Sequence, residues 1–401
     1  MGKPQTRDPY AVLGVSSTKK GVHRATKNMS KGLYPGAFCQ IVPMSQELRK
    51  VLPATTVDLF AQVIHADGVG TKSNVAYLAM KEGITDEFLY GLAQDAIVMN
   101  TDDMACVGVT DEFFISNHIA RNAGNVDDEA IAKVIQGYTM YFDKMKALGI
   151  KLHNTGGETA DVGSYTTTMG IDVTATATIL RSDIIDCSHI EPKNYIVGLS
   201  SAGKCLYEDK ENSGIRSNGL TLAIHSLLCE DYRKYPETMD PTIDPNDLYH
   251  GVYRLEDKLE GTSLTIAEAI LSPTRSYVPV VRDILSSGVH VTGIIHCSGG
   301  GLTKSINFGE GITYIKDDVL NIQTPAIFRA IQDINDIDDY YMFRTFNMGI
   351  GMEIYVRTIE EAKKVMHSAA KFGIEAQIIG LTDISEDRMN HVKIGDNEYS
   401  K

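Results

Sequence analysis

Three glycine-rich segments, each following a strand-like stretch of apolar residues, constrain the fold of this chain more than any other feature. They are Asp67-Gly-Val-Gly-Thr-Lys72, Gly156-Gly-Glu-Thr-Ala-Asp161 and His296-Cys-Ser-Gly-Gly-Gly301. Glycine loses more backbone entropy on folding than any other residue, so the three consecutive glycines at 299–301 are easier to explain by close approach to a ligand than by packing. The pattern predicts strands that end in turns able to face an anion.

The predicted elements form two mixed α/β units of similar size, which is the α/β (α+β) class. With ~100–200 residues per domain, a chain of 401 residues suggests two domains. A polar stretch near 181–193 predicts a boundary between domains 1–185 and 186–401, and residues 1–40 look irregular. Helices are predicted at 88–107, 127–149, 217–229, 277–286, 325–334 and 359–372, and strands at 60–66, 113–119, 150–154, 166–180, 195–200, 291–296, 350–356 and 374–381.

Composition excludes several classes of protein. The net charge of -14 argues against a nucleic-acid reader, which needs a basic face, but allows anionic small molecules at a local cationic site. No window approaches the ~18 apolar residues of a membrane span, and the N-terminus lacks the hydrophobic region of a signal peptide. The six cysteines show no C-x-x-C spacing, so we expect free thiols in a cytoplasmic protein.

The predicted helix 88–107 carries three carboxylates in unusual places. At ~100° per residue, Asp103 falls within the apolar stripe, and Asp95 and Asp102 stack at its edge. A buried carboxylate is costly unless it is paired, protonated or bound to a metal, and this helix offers no Lys or Arg partner. The pattern favours a metal site, unless the helix ends before Asp102 and leaves a solvated turn.

Each of the other candidate sites also has a purely structural explanation. The turn Gly68–Thr71 with Lys72 can hold phosphates, or it can be a tight strand–helix turn with Asp67 as a cap. Glu158 can be a ligand or base, although a simple Gly-Gly turn explains that segment better. Ser217-Asn218-Gly219, beside Arg216, can bind phosphate at a helix start or simply cap the helix. His296, with Lys304 nearby, can be an acid or base or a structural histidine.

These motifs, in this order, resemble the aminoimidazole ribonucleotide synthetase (phosphoribosylformylglycinamidine cyclo-ligase) family of the PurM-like ATP-binding superfamily. The resemblance runs from about residue 60 to 385. Besides the segments above, it includes Asp102–Gly108, Ser272-Pro-Thr-Arg-Ser-Tyr-Val278 and Phe346-Asn-Met-Gly-Ile-Gly-Met352. The chain departs from the family in an insertion after Gly203, in Arg216 where the family has His, and in Asp102 where it has Asn.

The resemblance implies an enzyme, an ATP-dependent cyclo-ligase that converts formylglycinamidine ribonucleotide to 5-aminoimidazole ribonucleotide, ADP and phosphate in purine biosynthesis. ATP would phosphorylate the formyl oxygen, and the amidine nitrogen would then displace phosphate. It also implies a homodimer with a central barrel formed by strands of both N-terminal domains. The alternatives are a sister ATP-dependent phosphotransferase of the same superfamily and a non-catalytic nucleotide-binding homologue.

The resemblance also assigns roles to individual residues. The expected Mg²⁺ ligands are Asp67, Asp95, Asp102 and Asp103. The expected ATP site comprises Gly68, Val69, Gly70, Thr71, Lys72, Asp95 and, from an N-terminal basic lid, Lys27. The expected substrate site comprises Gly156, Gly157, Arg216, Ser217, Asn218, Gly219, Gly299, Gly300 and Gly301. The expected catalytic residues are Asp67, Lys72, Asp103, Glu158 and His296, with His296 as a proton carrier.

Overall fold

The computed structural model describes residues 9–15, 20–26, 28–85 and 87–400. Its strands form two sheets, one drawn from residues 41–180 and the other from residues 195–400, so the mixed α/β class is confirmed. The strands are β1 Ile41–Pro43, β2 Phe60–Gly68, β3 Glu112–Arg121, β4 Lys151–Asp161, β5 Met169–Leu180, β6 Tyr195–Ser200, β7 Val291–His296, β8 Ile312–Ile315, β9 Ile350–Val356, β10 Ala376–Ile384, β11 His391–Ile394 and β12 Asn397–Ser400. The helices are α1 Pro9–Val12, α2 Lys20–Thr26, α3 Ala54–Val57, α4 Lys72–Lys81, α5 Phe88–Ala105, α6 Asp128–Ala147, α7 Leu220–Leu227, α8 Ile266–Ile270, α9 Val278–Ser286, α10 Ala326–Asn335, α11 Asp339–Thr345 and α12 Ile359–Ala370.

The first sheet has the order β1-β2-β5-β3-β4, and only β3 and β4 run parallel to each other. Strand β5 alternates buried and more exposed residues, as expected for a strand with one covered face. Helices α5 and α6 pack on the covered face. The opposite face exposes apolar side chains, among them Ile64 and Phe114.

Helix α5 is buried on nearly all sides, including its polar residues Asp95, Asn100, Asp102 and Asp103. It packs on the first sheet and on α6, and it also contacts α9 of the second half. A helix enclosed in this way belongs to the core, and this one is covered from both halves of the molecule. Its carboxylates therefore meet partners from elements far away in the sequence.

Helix α6 shows how local sequence sets helix ends. The side chain of Asp127 accepts a hydrogen bond from the amide of Ala130 (2.8 Å), which caps the first turn. Acidic residues occupy the first turn and lysines the last, in keeping with the helix dipole. Gly149 follows with a φ of 79°, which ends the helix.

The second sheet has the order β12-β11-β8-β10-β6-β9-β7, with β11 and β8 the only parallel pair. Every residue of β9 is buried, because α12 covers one side of the central strands and the loops of the second half cover the other. A fully buried strand is rich in apolar residues, and the sequence predicted this strand with the same bounds, 350–356.

The structure corrects two of the predicted elements. The strand predicted at 150–154 continues as β4 to Asp161, so the Gly156-Gly157-Glu158 segment is strand and not turn. Residues 1–40, predicted to be irregular, contain the short helices α1 and α2. The six cysteines are all unpaired. No helix in the described part of the chain is both long enough and apolar enough to cross a membrane.

Candidate active site

The turn between β2 and α4 presents backbone amides. Asp67 Oδ1 accepts a hydrogen bond from the amide of Gly68 (2.7 Å), and the Asp67 side chain lies at the surface. Gly70 has a φ of 58° and open space where a Cβ would project. The amides of Gly70 and Thr71 have no hydrogen-bond acceptor among the described residues. Free amides in a turn of this kind can bind an anion.

Two turns of the second half, at 217–219 and 297–300, lie beside the turn between β2 and α4. The hydroxyl oxygens of Thr71 and Thr221 are 2.7 Å apart, which joins the first turn to the start of α7. A Cβ added to Gly299 would lie 4.0 Å from Asn218 Nδ2, so the third turn approaches the second. Asn218 Oδ1 is buried and has no hydrogen-bond partner in the described structure.

The three turns together form what we call the amide cradle. It consists of the amides of Gly70, Thr71, Asn218, Gly219, Gly299 and Gly300, none of which has an acceptor within the described residues. The cradle lies where the two halves of the molecule meet. The sequence predicted the turns at 67–72 and 296–301, whereas it placed Ser217-Asn218-Gly219 inside the start of a helix that begins at Leu220. Most of these residues are exposed or only partly buried, so their amides can reach solvent or a bound molecule. Several free N–H donors gathered at one place offer a binding surface for an acceptor-rich ligand.

Asp103 lies between two histidines from different halves. Its carboxylate accepts hydrogen bonds from His296 Nδ1 (2.5 Å) and from His65 Nε2 (3.2 Å). Burial alone would raise the pKa of Asp103, but the hydrogen bonds from the two histidines hold it well below its ordinary value. Asp103 is therefore an ionised carboxylate.

The surroundings of His65 favour its protonated form. Its Nδ1 lies 3.0 Å from Asn100 Oδ1 and its Nε2 faces Asp103, so both ring nitrogens meet acceptors. Burial lowers the pKa of His65, but Asp103, Asn100 and Asp67 outweigh burial and raise it. No motif marks His65. The alternation of β2 is the signal that could have indicated it, because His65 lies on the covered face with Ala61, Val63 and Asp67.

His296 has no free nitrogen for proton transfer. Its Nε2 accepts a hydrogen bond from Arg216 Nη2 (2.6 Å), while its Nδ1 donates to Asp103. Burial and the charge of Arg216 lower the pKa of His296, so the ring is neutral. The side chain is fully enclosed. The structure therefore places His296, the expected proton carrier, where its ring holds Asp103 in position.

Arg216 and Lys72 are also turned inward, contrary to their expected contacts with phosphates. The Arg216 guanidinium bonds to Asp102 Oδ2 (3.1 Å) and lies over the ring of Tyr277. The Lys72 ammonium donates to Asp95 Oδ1 (2.7 Å) and to the carbonyl of Ser272 (2.6 Å). Both cations are almost completely enclosed, so neither faces the amide cradle.

The residues predicted to bind Mg²⁺ do not fit that ion in this structure. Lys72 neutralises Asp95, Arg216 neutralises Asp102, and two histidines hold Asp103. Within residues 9–15, 20–26, 28–85 and 87–400, no group of three or more His, Cys, Asp or Glu side chains is arranged to hold a metal ion. Instead of a shared metal site, Asp95, Asp102 and Asp103 form ion pairs whose cationic partners come from other elements, and Asp67 lies at the surface.

Ser217 and the block Ser272–Val278 contribute to these internal networks. Asp95 Oδ1 accepts hydrogen bonds from Ser217 Oγ (3.2 Å) and from the amide of Thr274 (2.7 Å). Asp102 Oδ1 accepts from the amide of Tyr277 (2.9 Å). These contacts join α5 of the first half to loops of the second half, so this block holds the two halves in register.

Glu158 lies on the other face of the first sheet from Asp67. Across the sheet, Glu158 pairs with His118, and His118 pairs with Asp172. Asp67 pairs with Val173, which is buried under the helices, whereas its neighbour Gly68 pairs with the exposed Asp172. Because paired residues share a face, the sheet separates the Glu158 side chain from that of Asp67.

Gly156 and Gly157 shape β4 locally. Gly156 has a φ of 87°, and the register between β3 and β4 shifts between Ile115 and Asn117. A Cβ on Gly157 would lie 1.9 Å from the carbonyl oxygen of Asn117, so only glycine fits there. These two glycines therefore allow an irregularity between two strands. Lys27, the expected lid residue, lies outside the described residues.

Comparison with known proteins identifies matches along most of the chain. The family model of the AIR synthase related protein, N-terminal domain, matches residues 54–179, and that of the C-terminal domain matches residues 251–386. The phosphoribosylformylglycinamidine cyclo-ligase of Methanocaldococcus jannaschii is 32% identical over 322 residues, covering 79% of this chain and 77% of that protein. The protein of the same name from Alkaliphilus metalliredigens is 29% identical and covers 79% of each chain.

Solved structures share the fold at low sequence identity. Thermotoga maritima PurL complexed with FGAR has a TM-score of 0.52 at 14% identity, covering 98% of this chain and 51% of that one. The chain thus spans about half of the length of PurL. A chain of the HypE-HypF complex has a TM-score of 0.51 at 10% identity, covering 95% of this chain and 98% of that one.

Proposed function

The chain belongs to the phosphoribosylformylglycinamidine cyclo-ligase family, and we propose that it catalyses the reaction for which that family is named. Formylglycinamidine ribonucleotide and ATP would give 5-aminoimidazole ribonucleotide, ADP and phosphate, as a step of purine biosynthesis. The observation that carries the proposal is the amide cradle, which gathers six unpaired amides from both halves of the molecule at one place. Both substrates carry phosphates, the acceptor-rich groups that such amides bind.

The proposed chemistry activates a poor electrophile. The formyl oxygen attacks the γ-phosphorus of ATP, ADP leaves, and the product is an imidoyl phosphate. The amidine nitrogen then attacks the activated carbon, the C–O bond to phosphate breaks, and the nitrogen loses a proton. Transfer of a phosphoryl group mainly needs alignment and charge stabilisation, and the amide cradle supplies fixed dipoles for both.

Polar side chains beside the cradle complete the proposed site. The imidazolium of His65 and the carboxylate of Asp103 form an ion pair close to Asp67. The unpartnered Asn218 Oδ1 can accept a hydrogen bond from a ribose hydroxyl or an amine of the substrate. We assign Asp67, His65 and Asn218 to substrate contact, and we assign His296, Lys72 and Arg216 to holding this arrangement in place.

We also propose a homodimer that buries the open face of the first sheet. One row across that face consists of Ile64, Thr176, Phe114 and His153, and Phe114 stacks on His153 with ring centroids 4.8 Å apart. The exposed apolar side chains of this row, Ile64 and Phe114, are typical of protein interfaces. The six unpaired cysteines support a cytoplasmic location, where thiols stay reduced.

The test is an assay of the purified protein with ATP, MgCl₂ and formylglycinamidine ribonucleotide. We expect 5-aminoimidazole ribonucleotide, detected through its aromatic amine, and ADP in equal amounts. Binding of ATP without product would contradict the proposal and indicate a nucleotide sensor. ADP release only with the substrate of another superfamily member would contradict it and indicate a sister phosphotransferase.

A further inference from the structure

Lys304 is a cation beside the amide cradle that no carboxylate neutralises. It lies on the 3-10 helix Gly301–Asn307, and a Cβ on Gly300 would lie 3.6 Å from Lys304 Cα. Its ammonium donates a hydrogen bond to Ser298 Oγ. Its Nζ forms no ion pair within 4.0 Å among the described residues. The nearest acidic influence is Asp103, on which the charge of Lys304 acts from farther away and which two histidines already hold. The side chain is half-buried, so its charge is reachable from the cradle.

The other buried cations of this region, unlike Lys304, each form an ion pair with a carboxylate. Lys72 lies 2.7 Å from Asp95, Arg216 lies 3.1 Å from Asp102, and Lys316 lies 2.6 Å from Glu353. Each of these pairs is sealed from solvent, and its charge is cancelled locally. A binding site for a polyanion needs at least one cation that is not already compensated. Among the described residues beside the three turns, Lys304 meets that requirement.

The N-terminal segment holds Lys304 in position. The ammonium lies 4.6 Å from the centroid of the Phe38 ring, and Phe38 stacks on Phe308 with centroids 5.1 Å apart. A cation over an aromatic face keeps its charge while its orientation is restricted. This restriction lowers the entropy that Lys304 would lose on binding an anion.

We propose that Lys304 is a phosphate-binding residue of the amide cradle, contacting a phosphate of either the nucleoside triphosphate or the ribonucleotide substrate. This inference rests on the proposed function and assigns the cation that accompanies the amides of Gly299 and Gly300. It replaces the role that the sequence assigned to Lys72 and Arg216.

Direct binding measurements on the full-length protein test the inference. AMP-PNP and ribose 5-phosphate are titrated separately by calorimetry into the wild type and into Lys304→Met, which keeps the apolar stem on Phe38 but removes the charge. Loss of a charge-assisted hydrogen bond should weaken the affinity for at least one probe by about 10- to 100-fold. Weaker AMP-PNP binding assigns Lys304 to the triphosphate, and weaker ribose 5-phosphate binding assigns it to the ribonucleotide. Lys304→Arg should retain most of the affinity.

Lys81→Met is the matched control, because Lys81 also lies over an aromatic ring, that of Tyr77 (5.2 Å), at the far end of α4. It should bind both probes as the wild type does. Lys304→Gln serves as a second variant if Lys304→Met has a lower melting temperature. Wild-type affinity of the Lys304 variants for both probes would overturn this inference alone. A wild type that binds neither probe would overturn the proposed function as well.

Discussion

Arg216 and Asp102 meet across the boundary between the two halves of the molecule, with Arg216 Nη2 lying 3.1 Å from Asp102 Oδ2 and both side chains sealed from solvent. Arg216 adopts a left-handed backbone conformation with a φ of 61°, which is uncommon for a residue with a long side chain. Strained conformations persist where the surroundings require them. In this structure the surrounding elements place the Arg216 cation opposite Asp102, a buried carboxylate of α5.

Removal of Arg216 should therefore destabilise the protein. Burial already raises the pKa of Asp102 although Arg216 opposes it, so Arg216→Met leaves the carboxyl either charged without a partner or protonated at a cost. Breaking a buried pair in this way typically costs about 3–5 kcal/mol of the free energy of unfolding. Urea denaturation measures this loss. The double variant Arg216→Met/Asp102→Asn should recover part of the stability, because no unpaired charge remains. A loss of stability below about 1 kcal/mol in the single variant is typical of a surface ion pair. Such a small loss would contradict a buried ion pair between Arg216 and Asp102.

Asp103→Asn should remove most of the turnover with little change in melting temperature. The amide keeps the volume of the side chain but not the charge that holds His65 as a cation. Loss of such an electrostatic arrangement lowers kcat by about 10²–10⁴-fold. Asp209→Asn, on the surface in a pair with Lys144, is the control and should turn over normally. Near-normal turnover of Asp103→Asn would remove Asp103 from the site.

The stability of the protein should fall between pH 6.5 and about 4 because of His225. Burial, with a smaller contribution from His250, lowers the pKa of His225 to about 4, and its Nδ1 accepts a hydrogen bond from the amide of Tyr249 (3.4 Å). The unfolded chain binds the proton at about pH 6.5, so acid favours unfolding by up to about 3 kcal/mol from this group.

His225→Gln keeps an acceptor for the Tyr249 amide but does not titrate. Urea denaturation at pH 7 and pH 4.5 should therefore show a smaller loss of stability on acidification in the variant than in the wild type. Equal losses in the two proteins would mean that His225 does not determine this pH dependence.

Gly301 should tolerate substitution less well than a glycine of the same backbone conformation on the surface. Gly301 has a φ of 52°, and a Cβ there would lie 2.3 Å from the carbonyl oxygen of Phe346. Gly261 has a φ of 78° and no atom near its Cβ position. Gly261→Ala should cost about 1–2 kcal/mol for the left-handed conformation alone.

Gly301→Ala must in addition displace the Phe346 backbone next to the amide cradle. We expect a larger loss of unfolding free energy in urea and weaker binding of AMP-PNP than in Gly261→Ala. Equal behaviour of the two variants would show that the cradle does not depend on this close approach.

Phe114→Glu should dissociate the proposed homodimer. A carboxylate in the middle of the apolar row on the open face of the first sheet would have to be buried without a partner. Sedimentation velocity should show a dimer for the wild type and a monomer for the variant. Val252→Glu, at another exposed apolar position in the second half, should remain dimeric. A monomeric wild type, or a dimeric Phe114→Glu, would refute this interface.

Local patterns predicted much of the secondary structure. The strands at 291–296 and 350–356 and the cap of α6 at Asp127 follow from apolar runs and capping chemistry, which act over a few residues. The end of β4 was missed because Gly156-Gly157 has the composition of a turn. Pairing with β3, more than 30 residues away, keeps this segment extended.

By itself the sequence determined the two α/β halves, the glycine turns at 67–72 and 296–301 and the need of Asp95, Asp102 and Asp103 for compensation, because periodicity and burial are properties of short segments. Tertiary structure decided what compensates them. Lys72 reaches Asp95 from a helix 23 residues away, Arg216 reaches Asp102 from 114 residues away, and His296 reaches Asp103 from 193 residues away. No local pattern encodes such pairs, because they form only when packing brings the two halves together. That packing also separates Glu158 from Asp67 and leaves Lys304 as the uncompensated cation beside the cradle.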